Sequence, residues 1–375
     1  MSARGIRQPM SRALISVLLT LLLLVVGCVG GGGGNQQASE ETVGVDGDYT
    51  GNATGKDAVR IPLTDMGDHA YLGFSGGLYS NGSNTPPADH AAVGAARAKN
   101  IRPLDANGNA DSNGKVVLLS IGMSNTSGEF CGRNITTDCW PETFMAQAAQ
   151  DPSVNSSSLV IVNGAQGGRD AETGHQPSDR YYDVIRDTRL SEFGVAEKQV
   201  QIVWLKQADA RPTVSLPDSS ADAYRLQSNL AEIVRALKVR YPNLQQLLLS
   251  SRTYGGYATT KLNPEPYAYE SGFAVKWLIQ AQIEQMANGG RIVDTQDGDL
   301  NYDTMVAPWI AWGPYLWADG QTPRSDRLAW ERADFGRDGT HLAEPGRSKV
   351  GALLLDFFKT SPATSCWFLA GQTCS

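Results

Sequence analysis

Two short stretches, far apart in the chain, hold the residue types that nucleophilic catalysis needs. Gly122-Met123-Ser124-Asn125 sets a serine after Gly-x at the end of an apolar run, and Asp338-Gly339-Thr340-His341 sets a carboxylate three residues before an imidazole. A serine hydroxyl is a weak nucleophile until a base takes its proton. The imidazole that does so needs a carboxylate to hold its tautomer and balance the charge it acquires. Ser124, His341 and Asp338 are the right types for those three roles. Taken singly, Gly-x-Ser reads as an ordinary turn. The pool of bases is small, because the chain has only four histidines: His69, His90, His175 and His341.

Elements must bring these stretches together. Val116 to Ile121 is a continuous apolar run, as expected of a strand buried on both faces of a parallel sheet. Leu159 to Val162, Gln201 to Leu205 and Leu247 to Leu249 repeat the pattern. Leu226, Leu230, Ile233 and Leu237 recur at helical spacing, with Asp222 near the start and Pro242 just past the end. Further helices are expected over Glu270–Ala287 and Pro345–Phe358, the latter with Val350, Leu353, Leu354 and Phe357 as its buried stripe. Strands alternating with helices predict an α/β fold, a three-layer α/β/α sandwich around a mostly parallel sheet. In such sheets sites lie at the carboxyl ends of the strands, which is where Ser124 falls.

In order and placement, these pieces resemble the SGNH/GDSL hydrolase family of serine esterases and lipases, whose fold is flavodoxin-like. Gly122 to Asn125 looks like its first block, with Ser124 as nucleophile. Asp338 to His341 looks like its last. The resemblance implies an oxyanion hole built from the Ser124 N–H, a glycine after the second strand, and a carboxamide after the third. In Asn163-Gly164-Ala165-Gln166-Gly167-Gly168-Arg169 the glycine five after the Asn is Gly168, with Gly164 and Gly167 as rivals. The third block departs from the family's Gly-x-Asn-Asp. Here the chain reads Lys206-Gln207-Ala208-Asp209, so Gln207 is the candidate donor, as in relatives resembling carbohydrate O-acetylesterases that place a Gln after a Trp, here Trp204. The resemblance covers roughly residues 115 to 360.

Other features bear on substrate. Trp309, Trp312, Tyr315 and Trp317 crowd one segment; they suit either sugar-ring faces or a core, and Trp312 is the candidate contact. Arg252 follows the fourth strand and reads as a substrate contact or as an ion-pair partner. Asp297 to Asp303 alternates oxygen ligands without the full calcium-loop pattern, so an acidic turn is the simpler reading.

The chain of 375 residues is 41% hydrophobic and 19% charged, with a formal net charge of −7. The acidic balance, without a basic block, argues against a nucleic-acid partner. Arg4, Arg7 and Arg12 precede an apolar run from Ala13 to Val26 that would span only about 21 Å as a helix, too short for a comfortable membrane crossing. The run ends in Gly27-Cys28, which resembles a bacterial lipobox with Cys28 as the lipidated residue. The plain alternative is an ordinary secretory signal. The remaining cysteines pair locally, Cys131 with Cys139 and Cys366 with Cys374. Each pair fits a disulfide worth roughly 2–3 kcal/mol in an exported protein, a zinc site being the weaker reading. The expected organisation is a signal peptide (1–27), a flexible tether (28–60), an irregular N-terminal extension (61–114) and the hydrolase domain (115–375).

The expected activity is that of a lipid-anchored, extracytoplasmic serine esterase. It would act on a short, acetyl-type ester, with an acetylated carbohydrate as a candidate substrate, and would need no metal or cofactor. The rival is a catalytically dead carbohydrate-binding protein on the same scaffold. A serine peptidase fits less well, since Gly-x-Ser-x-Gly is missing.

Overall fold

A computed structural model describes residues 58–132 and 138–374. Among them, five strands form one parallel sheet: β1 (Val116–Gly122), β2 (Leu159–Asn163), β3 (Val200–Lys206), β4 (Gln246–Leu249) and β5 (Trp309–Trp312). Their order is β2-β1-β3-β4-β5. Every residue of β1, β3, β4 and β5 is buried, because helices cover both faces. On one face, Val117, Leu119 and Ile121 join α4 (Asp222–Arg240) and α5 (Tyr267–Ala287). On the other, Val116, Leu118 and Trp204 pack with α2 (Ser124–Phe130), α3 (Phe144–Gln150) and α6 (Glu344–Thr360). This is the three-layer sandwich the alternating pattern predicts. The chain leaves β1 toward β2 on one side and returns to β3 on the other. Their carboxyl ends therefore flank a crevice, the usual place for a ligand in an open α/β sheet.

Local sequence explains the helices. Leu226, Leu230, Ile233 and Leu237 of α4 are all buried, and Lys238 and Arg240 lie in its last turn, where cations favour the helix dipole. In α6 the fully buried stripe is Val350, Leu354 and Phe358; Leu353 and Phe357 lie at its margin, a small rotation from the expected face.

The N-terminal extension is more regular than its sequence suggests. It contains α1 (Ala88–Asn100), whose buried residues are His90, Gly94 and Ala98. Gly and Ala carry this stripe, so no large apolar residues mark it. The small face lets α1 press on the sheet edge, and a β-carbon on Gly94 would strike the Trp309 ring. Trp309 Nε1 donates to the His90 carbonyl, and His90 Nε2 bonds the Ile310 carbonyl at 3.0 Å. Both expected disulfides, Cys131–Cys139 and Cys366–Cys374, are present. Cys28 and the leader before it lie outside the described residues. No helix among those described is long and apolar enough to cross a membrane.

The extension is also tied to α5 through a buried carboxyl. Glu270 accepts from the Tyr71 hydroxyl at 3.1 Å and from the Leu216 N–H at 3.1 Å. Burial pushes it up from the usual 4.5 to about 7, against the pull of these hydrogen bonds. A carboxyl raised in the folded state adds stability fully present below its unfolded pKa, which fades as pH rises through the folded one. Glu270→Gln is therefore expected to gain on the wild type between pH 4.5 and 7, by about 3 kcal/mol for a shift of this size. Urea midpoints at pH 5 and pH 8 check this, and a constant difference between the two proteins would contradict it.

Candidate active site

The turn after β1 is set by Gly122. A β-carbon there would run into the Lys206 carbonyl oxygen and Thr126 Oγ1, so only glycine lets β1 pass this close to the end of β3. Thr126 Oγ1 donates to that same Lys206 carbonyl at 2.7 Å. The chain then enters α2 at Ser124. Asn125 Nδ2 donates to the Thr340 carbonyl at 2.8 Å, joining α2 to the loop before α6.

That loop delivers the imidazole. Ser124 Oγ lies 2.7 Å from His341 Nε2, and His341 Nδ1 lies 2.5 Å from Asp338 Oδ2. Asp338 Oδ1 accepts the backbone N–H groups of Thr340 and His341, each at 3.0 Å. Burial alone would raise the Asp338 carboxyl. The hydrogen bonds from the His341 ring and from these two N–H groups outweigh it and hold Asp338 below the ordinary range, hence ionised at neutral pH. An ionised carboxylate can only accept, so Nδ1 carries the ring proton. Nε2 is left with its lone pair facing the serine hydroxyl. The other described histidines stand elsewhere. His90 is buried and pushed down to about 4 by desolvation, His69 is exposed, and His175 bonds Glu232.

Ser124 and His341 open onto a cleft of about 290 Å³, lined also by Asn125, Gly128, Trp140, Gly167 and Arg347. Glu129 also borders it and belongs to a buried ion pair. Lys206 Nζ lies 2.5 Å from both oxygens of Glu129, and each side chain is 1% exposed. Burial pushes the Lys206 ammonium down to about 8, against the pull of Glu129.

The glycine that faces the serine is Gly167. A β-carbon there would lie 3.7 Å from Ser124 Cβ, whereas Gly168 does not line the cleft. Gly168 has φ +73°, and Arg169 N–H returns to the Gln166 carbonyl at 3.3 Å, so Gly168 is the residue that lets this turn form. Neither glycine N–H donates to a backbone carbonyl among the described residues. Gly164 is excluded, since its N–H donates to the Ser120 carbonyl at 3.1 Å.

Three sequence-based expectations need correction. Gln207 is 2% exposed, and its amide donates to the carbonyls of Arg169 (3.0 Å) and Asp170 (3.1 Å). It braces the glycine turn and does not offer its N–H₂ to the cleft. Trp312 belongs to β5, is 4% exposed and donates to the Leu78 carbonyl. Trp309, Tyr315 and Trp317 are buried with it, so this segment is core and not a sugar platform. Arg252 is buried and does not line the cleft. Burial pushes its guanidinium below the usual value, while Glu129, Glu265 and Asp338 pull it up. In the expected acidic turn at Asp297–Asp303, Asp297 Oδ2 accepts from Gln227 and Asp299 Oδ1 from Gln285.

Trp140, Gly128 and Arg347 were not singled out by sequence. Trp140 follows Cys139, and its N–H donates to the Cys131 carbonyl, so the disulfide loop carries it to the cleft. The Arg347 guanidinium lies 4.2 Å from the Trp140 ring centroid and pairs with Glu142. Only the nearness of Trp140 to Cys139 could have hinted at this.

No family profile and no curated relative matches the sequence. Solved structures similar to the chain include an extracellular lipase from Streptomyces rimosus (16% identity, 64% of this chain and 99% of that one, TM-score 0.31). Others are a carbohydrate acetylesterase from Sinorhizobium meliloti (13%, 64% and 97%, 0.33) and a family two carbohydrate esterase from Cellvibrio japonicus (12%, 68% and 63%, 0.33). Likenesses this distant decide nothing about the chemistry of this chain, which rests on its own residues.

As a brace, Gln207→Met leaves two part-buried carbonyls without their donor and is expected to lower stability by about 1 kcal/mol in urea unfolding. An unchanged urea midpoint would count against the bracing role.

Proposed function

We propose that this chain is a serine ester hydrolase with Ser124 as nucleophile, His341 as general base and acid, and Asp338 as the residue that orients His341. The observation that carries this reading is the continuous hydrogen-bonded chain from Ser124 Oγ through His341 to Asp338 at the cleft. His341 Nε2 takes the hydroxyl proton as Ser124 Oγ attacks the ester carbonyl carbon. The Ser124 N–H and an N–H of the Gly167–Gly168 turn stabilise the oxyanion. The carbon–oxygen bond of the ester breaks, and the alcohol leaves with the proton from His341. Water, deprotonated by His341, then attacks the acyl-enzyme, releasing the acid and restoring Ser124.

A short acyl ester, acetyl in type, is the proposed substrate. Its carbohydrate portion rests on the motif resemblance alone, since the tryptophans are buried. We further propose export and lipid anchoring at Cys28, on the tether of residues 28–60; stable attachment takes more than one acyl chain. The two disulfides suit an oxidising compartment.

A second reading, a carbohydrate-binding protein without activity, draws on one observation: Gln207 is committed to the loop, so the third block supplies no side-chain donor.

Soluble protein beginning after the tether distinguishes the two. Wild type is expected to turn over p-nitrophenyl acetate, and Ser124→Ala to lose roughly 10⁴-fold or more in kcat. Turnover that survives in Ser124→Ala would reject the nucleophile. Absence of turnover in wild type, on this ester and on acetylated sugars, would favour the binding protein. Asp338→Asn is expected to keep substrate binding while kcat falls by roughly 10⁴-fold, because an amide there stabilises the wrong imidazole tautomer.

A further inference from the structure

Within α2, only Ser124 and Gly128 are not buried, and they lie one turn apart on the same face, toward the cleft. Glycine inside a helix is disfavoured against alanine, so its presence calls for a reason. Backbone conformation does not supply one, since Gly128 is not among the residues with positive φ. Crowding does not either: among the described residues a β-carbon at Gly128 would meet nothing within 4 Å, unlike one at Gly122 or Gly339. What remains is the open volume itself.

Trp140 also lines this cleft. It is held by the Cys131–Cys139 disulfide beside it, by the Arg347 guanidinium over its ring, and by Gly132, whose β-carbon would lie 3.3 Å from the indole. A side chain fixed by three neighbours sets a firm limit. One helical turn measures about 5.4 Å, the reach of a short acyl chain from the serine oxygen. The leaving oxygen must sit at His341 Nε2, and a second groove adjoins His341, lined by Thr259, Arg337, Leu342 and Ala343. With the alcohol in that groove, the space over Gly128 is left for the acyl group.

We propose that Gly128 and Trp140 determine acyl specificity, Gly128 by leaving room for a short acyl chain beside Ser124 and Trp140 by limiting its length. This rests on the serine-esterase reading. The test compares p-nitrophenyl acetate, butyrate and hexanoate in wild type, Gly128→Ala, Gly128→Val and Trp140→Ala, with thermal unfolding of each. The glycine variants are expected to keep or raise Tm, while kcat/KM for butyrate relative to acetate falls about tenfold, more steeply in valine than in alanine. Trp140→Ala is expected to move the same ratio up by about tenfold. Opposite shifts from two walls cannot come from general loss of fold. Unchanged ratios in folded variants overturn the proposal. So does a change confined to a series of acetates that vary the alcohol. Wild type without ester turnover, or turnover equal in Ser124→Ala, overturns the esterase reading and this pocket with it.

Discussion

The geometry of the cleft depends on how closely the ends of β1 and β3 approach. Gly122 passes the Lys206 carbonyl at a distance no side chain allows, and Thr126 donates to that same carbonyl. Lys206 then turns its ammonium back to Glu129 of α2. The last residue of β1, the first turn of α2 and its last turn are thus all referred to one residue at the end of β3. Desolvation makes an ion pair this deeply buried a poor source of net stability, but breaking it leaves an unpaired charge, which is costly. Its effect is to make any other seating of α2 unfavourable, and Ser124 has no freedom that α2 lacks.

The imidazole arrives by a separate route and is held separately. Asp338 Oδ1 takes the N–H groups of Thr340 and His341, Gly336 N–H returns to the His341 carbonyl, and Thr259 N–H takes the Asp338 carbonyl. Gly339, at φ +67°, packs where a side chain would strike the Tyr257 carbonyl. One carboxylate therefore orders its own loop and polarises the imidazole with different oxygens. Asn125 joins this unit to α2. In the proposed reaction, such preorganisation removes reorganisation from the step in which charge develops.

The opposite wall follows the same logic with other materials. Gln207 fills the place after β3 where a carboxamide was expected, yet its amide holds the Arg169 and Asp170 carbonyls and fixes the glycine turn facing Ser124. The disulfide loop carries Trp140, and α6 contributes Arg347 to keep that ring in place. Elements from four parts of the chain thus meet around one serine, each anchored by contacts that do not involve a substrate.

Much of this was legible from local pattern. The continuous apolar runs determined four of the five strands, because a strand covered on both faces can carry little else. The spacing of Leu226 to Leu237 determined α4, and cysteines eight apart determined two local loops. The residue types of Ser124, Asp338 and His341 singled out the three side chains that the structure brings into one hydrogen-bonded chain. Tertiary structure decided what local pattern cannot carry. The Trp309–Trp312 segment became a strand only because α1 and the extension cover the sheet edge, and α1 hid its stripe in glycine and alanine. Whether Gln207 faces the cleft or the loop depends on carbonyls more than thirty residues away. The open space over Gly128 exists only where α2, the disulfide loop and α6 meet.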